Sequence, residues 1–117
     1  MIGELKVRRA RRDDFARVRE LLGLPASGER AERKRFRRLV STLREDLYVA
    51  ERGDEAPLEG LTVIAYVRGL GPSTALVREL RGSEEATELL LACARDRAAA
   101  RGCTRVELPS KQPAVLA

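Results

Sequence analysis

Histidine, tryptophan and asparagine are absent from these 117 residues, and cysteine occurs only at 93 and 103. Without histidine the chain can build neither a Ser-His-Asp nor a Cys-His nucleophile. The usual nitrogen ligand of zinc is gone as well, and the two cysteines match no metal-ligating spacing, so no metal site is expected. Cys93 falls in a helical apolar stripe and Cys103 opens a strand, which predicts two small buried apolar side chains. No apolar run approaches the ~18 residues that span a bilayer. The opening Met1-Ile2-Gly3-Glu4 lacks the basic-then-apolar layout of a signal peptide. These absences together set the expectation of a soluble cytoplasmic protein without a membrane partner.

Lysine is scarce too, occurring only at 6, 34 and 111, so the formal net charge of +5 is carried mostly by arginine. A basic balance suits an anionic ligand, and equally suits plain solubility. With 44% hydrophobic and 35% charged residues, the composition is that of a globular chain. Its length predicts one domain spanning residues 1–117, with 109–117 an irregular tail.

Leu5-Lys6-Val7-Arg8-Arg9 alternates as a strand does. Asp13 is placed to cap a helix carrying Phe15, Val18, Leu21 and Leu22 on one side. Gly23-Leu24-Pro25 closes that helix, and Pro25 to Gly28 reads as a loop. A second helix is predicted from Glu29 to about Arg44, with Phe36, Leu39, Val40 and Leu43 as its apolar stripe. Asp46 to Glu51 reads as a strand, Leu47 and Val49 alternating with Tyr48 and Ala50. Leu61 to Val67, almost continuously apolar, reads as a central strand. Gly69-Leu70-Gly71-Pro72 then turns the chain into a strand from Thr74 to Leu80. Next come a tight turn at Arg81-Gly82, a long helix from Ser83 to Arg101, and a last strand from Thr104 to Leu108. Elements interspersed in this way predict a mixed sheet with helices on its faces.

This order, from about Leu5 to Leu108, resembles the GCN5-related N-acetyltransferase family. Val7-Arg8-Arg9-Ala10 followed by Arg12-Asp13-Asp14 is similar to that family's first strand and helix. Leu61 to Val67 is similar to its third strand, and Arg101-Gly102-Cys103 to Leu108 to its link from third helix to fifth strand. The resemblance implies an α/β (α+β) fold: a mixed central sheet of about five strands flanked by three helices, in the order β-α-α-β-β-β-α-β. It also implies acetyl-coenzyme A as acyl donor and a small-molecule or protein amine as acceptor. The family's closing helix and strand pair are expected to be missing here, because few residues follow Leu108. The tyrosine that this region often supplies as general acid is missing with them.

The donor site implied by the resemblance comprises Val77, Leu80, Arg81, Gly82, Ser83, Glu84, Glu85, Ala86 and Thr87. Backbone amides from Val77 to Leu80 would position the acyl and pantetheine groups. The turn would hold the pyrophosphate, since amides at a helix N-terminus point outward and small residues let a phosphate approach. Family members commonly carry Arg/Gln-x-x-Gly-x-Gly/Ala there. With the motif at Gly82 to Thr87, Glu85 and Thr87 take the glycine positions; starting at Arg81, Glu84 and Ala86 do. Ser83-Glu84-Glu85 is also a good ordinary helix start, a cap with acids at the positive end of the dipole. Both readings stay open on sequence, and Arg78 and Arg81 stand near enough to offset part of the negative charge.

Glu79, late in the fourth strand, stands where the resemblance implies a catalytic carboxylate. Alternation with Ala75 and Val77 predicts an apolar surrounding that would raise its pKa. The competing expectation is a solvated strand-end glutamate paired with an arginine. The run Arg30-Ala31-Glu32-Arg33-Lys34-Arg35-Phe36-Arg37-Arg38 forms either a solvated helix face or a phosphate-binding one, so nucleic acid is a lesser candidate partner. Three functions follow: an amine acyltransferase, a non-catalytic module of the same fold, or a nucleic-acid-binding domain. An unpaired edge on the final strand adds the expectation of a homodimer.

Overall fold

The computed structural model describes residues 3–24, 28–42, 44–68 and 70–109. Its five strands are β1 (Lys6–Arg9), β2 (Glu45–Glu51), β3 (Gly60–Val67), β4 (Ser73–Gly82) and β5 (Cys103–Glu107). Its three helices are α1 (Phe15–Leu22), α2 (Glu29–Ser41) and α3 (Glu84–Ala100). The strands lie in the order β1-β2-β3-β4-β5, antiparallel throughout except for the parallel pair β4 and β5, which α3 connects. This is the mixed sheet and the element order that the sequence predicts. Pro25, Leu43, Gly69 and the tail from 110 to 117 fall outside the described residues.

Helices cover both sheet faces, which explains why apolar residues crowd the strands in near-continuous runs. Phe15, Val18 and Phe36 from α1 and α2 pack on Leu47, Val49, Leu61 and Val63. On the other face, Ala94 and Ala98 of α3 pack on Ile64, Ala75 and Val77, while Ala86 and Leu90 pack on Leu5 and Ala50. The buried stripe of α3 is therefore Ala86, Leu90, Ala94 and Ala98, one residue every four. Three alanines in four let the helix lie close to the sheet. Tyr48 and Ala50 are consequently no solvent face of β2: they look toward α3, and Ala50 is fully buried.

Three expectations need correction. Asp13 does not cap α1: its side chain is solvent-exposed, 3.9 Å from Arg11. The buried neighbour Asp14 does the anchoring, accepting from the Arg11 amide at 2.7 Å and from both terminal nitrogens of Arg8 at 2.8 Å. The second helix ends at Ser41, with Thr42 as its cap, short of Arg44. Arg81-Gly82 is not a tight turn but the last two residues of β4, paired to Leu61 and Gly60 of β3.

Gly82 is required there by packing. It sits at φ 130°, and a Cβ would lie 2.1 Å from the Glu59 carbonyl oxygen. Its strand partner Gly60 is equally tight, since a Cβ would lie 2.9 Å from that of Ala86. The two glycines bring the start of α3 down onto β3.

Buried charge is handled by arginine. Glu51 accepts from Arg8 at 2.8 Å and from Arg17 at 2.8 Å, and the same Arg8 holds Asp14. Hydrogen bonds from Arg8 hold the Glu51 carboxyl below its ordinary value. Burial pushes the Asp14 carboxyl up, but the Arg8 guanidinium and the Arg11 amide outweigh it and leave it lowered. Both cysteines are free and half-buried, and burial pushes the Cys93 thiol up. Neither is fully buried, short of the buried side chains that the sequence predicts.

Candidate active site

β5 pairs with β4 only from Ser73↔Cys103 to Leu76↔Glu107. β4 runs on to Gly82. Along 77–82 the outward backbone edge of β4 therefore faces no neighbouring strand among the described residues, and it leads directly into the α3 N-terminus. An exposed stretch of strand backbone that ends at a helix start offers amides to an extended, anionic ligand.

A register shift in the β3–β4 ladder decides which side chains face which way. Val63 pairs with Glu79 and Ile64 with Val77, so Arg78 is an extra residue, a β-bulge. Bulges turn every later side chain to the other face. Ala75 and Val77 face α3, and Leu80 rejoins that layer. Glu79 and Arg81 turn instead toward α1 and α2, where they border a cavity of about 340 Å³ with Leu22, Phe36, Leu39 and Val63. The predicted alternation of Glu79 with Ala75 and Val77 is thus wrong. The Glu79 carboxylate, 43% exposed, stands 3.7 Å from Arg81 rather than in an apolar enclosure. Its backbone carbonyl is anchored by the buried Thr62 hydroxyl at 2.8 Å.

The remaining predicted donor-site residues meet at the start of α3. Ser83 is its N-cap: the hydroxyl accepts from the Ala86 amide at 3.1 Å, and the Ser83 carbonyl accepts from the Thr87 amide at 2.9 Å. Two of the first amides are satisfied within the chain, leaving those of Glu84 and Glu85 directed outward. Thr87 turns its hydroxyl to the Glu84 carbonyl at 3.0 Å, and Ala86 is fully buried. Glu85 is drawn aside by Arg52, which donates to it at 2.7 Å and to Glu59 at 2.6 Å. Arg78 lies 3.6 Å from Glu45. The helix start fits a phosphate only in part: two amides are available and one of the two acids is held away, while Glu84 remains.

Arg52 was missed by sequence reasoning, and only its pairing across the sheet reveals it. A second missed group lies at the far end of β3. Asp46 is fully buried and accepts from the Tyr66 hydroxyl at 2.5 Å and from Arg9 at 2.7 Å, with Arg97 at 3.5 Å. Burial pushes its carboxyl up, yet Tyr66 and Arg9 outweigh that and leave it below the ordinary range. Burial, then the bond to Asp46, raises the Tyr66 phenol. The one signal in the sequence was an acid on the Tyr48–Ala50 face of β2.

On α2, Arg33 stacks over the Phe15 ring at 4.7 Å and lies 3.4 Å from Glu29. Arg30, Lys34, Arg35, Arg37 and Arg38 are exposed. Among the described residues no group of three or more acidic, cysteine or histidine side chains is placed to hold a metal. No described helix is long and apolar enough to cross a membrane.

No protein-family model and no curated protein sequence matches the chain. Solved structures do. A transcriptional regulator from Bacillus halodurans C-125 superposes with a TM-score of 0.79 at 19% identity, over 92% of this chain and 83% of that one. Glucosamine-6-phosphate N-acetyltransferase from Arabidopsis thaliana gives 0.79 at 15% identity, over 93% and 84%. A GNAT family acetyltransferase from Staphylococcus aureus gives 0.73 at 17% identity, over 100% and 94%. Identities this low speak to architecture, and the architecture is plain: the chain has the fold of the GCN5-related N-acetyltransferases.

Proposed function

We infer that the chain is an acyltransferase that moves an acetyl or related acyl group from its coenzyme A thioester to an amine. The observation that carries this reading is the β4 edge from 77 to 82, which no described strand covers, running into the α3 N-terminus within an acetyltransferase fold. The backbone of Val77 to Leu80 would hold the pantetheine arm, and the amides of Glu84 and Glu85 would meet the pyrophosphate beside Gly82. The amine would lie in the cavity between α1, α2 and β4, to which the bulge turns Glu79.

In the reaction the amine lone pair attacks the thioester carbonyl carbon. The nitrogen–carbon bond forms, the carbon–sulfur bond breaks and the thiolate leaves. The proton released from nitrogen passes to Glu79, directly or through one water, and solvent returns a proton to the thiolate. Arg81, 3.7 Å away, would help to orient Glu79. Tyr66, the last tyrosine in the chain, has its hydroxyl on Asp46 at the other end of β3 and takes no part.

Thiol release from acetyl-coenzyme A across a panel of primary amines tests this. Glu79→Gln is expected to lower kcat by about 10²-fold or more while leaving the KM for acetyl-coenzyme A nearly unchanged. Full activity in that variant would remove Glu79 from the mechanism. Absence of thiol release with every amine, together with absence of donor binding, would remove the reading itself.

A second reading, a non-catalytic module of the same fold, is favoured by the Ser83 hydroxyl, which occupies an amide that a phosphate would use. That reading suits self-association through a sheet edge, and sedimentation at micromolar concentration would show a dimer if it holds.

A further inference from the structure

Arg52 follows β2 directly, Glu59 precedes β3 directly, and Glu85 lies in the first turn of α3. One guanidinium ties these three places together. Its Nε donates to Glu59 at 2.6 Å, its Nη1 to the Gly3 carbonyl at 3.1 Å and its Nη2 to Glu85 at 2.7 Å. Glu59 is itself fixed through its main chain. Its amide donates to the Ala50 carbonyl at 2.8 Å, and its carbonyl accepts from the Ser83 amide at 3.0 Å. The residue that anchors the cap of α3 therefore also anchors Arg52, and Arg52 in turn holds Glu85.

The three side chains differ in freedom. Those of Arg52 and Glu59 are 23% and 31% exposed, whereas that of Glu85 is 62% exposed. Glu85 is thus the member that can turn, and an ion pair so open to solvent contributes little to stability. What the pair changes is the field at the helix start. The outward amides of Glu84 and Glu85 form the positive end of α3, which attracts any carboxylate within reach. Released from Arg52, the Glu85 carboxylate would be drawn to those amides and take the place of an incoming anion. Held by Arg52, it is displaced and its charge is balanced.

We propose that Arg52 is a positioning residue for the acyl donor: by holding Glu85 aside it keeps the α3 amides open to the donor pyrophosphate. This rests on the acyltransferase reading above, and it assigns Arg52 no contact with the donor. Calorimetric titration with acetyl-coenzyme A tests it. Arg52→Gln should weaken binding about fivefold, the size of one charge at a helix terminus. Arg52→Gln/Glu85→Gln should return the affinity to that of the unaltered chain. Its melting temperature should be no higher than that of Arg52→Gln, because neither ion pair has been restored. Affinity rescued without stability rescued separates positioning from a structural role. Unchanged affinity in Arg52→Gln, or a double variant that stays weak, would overturn the inference and leave the acyltransferase reading standing. An unaltered chain that does not bind acetyl-coenzyme A would overturn both.

Discussion

Asp46 shows how a single side chain governs this fold. Its carboxylate is fully enclosed and tied to Tyr66 and Arg9. Asp46→Asn removes the buried carboxylate that the partly exposed Arg9, Arg97 and Arg101 share, and should cost about 1–3 kcal/mol in urea unfolding at neutral pH. Asp46, Asp14 and Glu51 all titrate below their ordinary values in the folded chain. Each contributes stability that is complete only above its unfolded value, about 3.9 for the aspartates and about 4.3 for Glu51, and that is lost as pH falls through the lowered value. The midpoint of unfolding should accordingly fall steeply in acid, and Asp46→Asn should flatten part of that slope. Gly82 is the second such position. Gly82→Ala must adopt an unfavourable φ, a strain of about 1–3 kcal/mol, and must also push away the Glu59 carbonyl. None of this was legible locally. Sequence placed Asp46 at the start of a strand and Gly82 in a turn, because neither partner, Tyr66 nor Glu59, is near in the chain.

Among the elements, the sequence pattern placed all three helices and five strands, since β3 is apolar on two covered faces, β1 alternates, and α1 and α2 carry clear stripes. Boundaries were closest where a cap is explicit, as at Ser83 and Gly102. They slipped at α1, where two successive aspartates made Asp13 and Asp14 equal on paper and only burial separates them. The bulge at Arg78 left no signature, and it alone sends Glu79 toward α1 and α2 instead of α3. For the helix start, sequence offered two readings, and the geometry contains part of each. Ser83 caps α3, as in an ordinary helix, yet Glu85 is drawn to Arg52 and Gly82 opens the approach. Glu84 is then the main electrostatic obstacle to a donor phosphate. Glu84→Gln should strengthen acetyl-coenzyme A binding by about two- to five-fold, the size of one charge at a helix terminus. An unchanged affinity would mean that no phosphate approaches that turn.

Across the whole molecule, the sheet has two ends with different chemistry. One presents β4 backbone that no described strand covers, beside the α3 N-terminus, with Glu79 bordering a cavity lined by leucine and phenylalanine. The other gathers arginines around Asp46. The central claim is that the first end receives an acyl-coenzyme A. Amide NMR of the isotopically labelled chain, titrated with acetyl-coenzyme A, tests it most directly because it separates the two ends. Saturable shifts are expected at micromolar donor concentration, concentrated from Val77 to Thr87 and weaker around Tyr66, Arg68 and Arg101. Shifts confined to the arginine end, or none anywhere at millimolar donor, would contradict it.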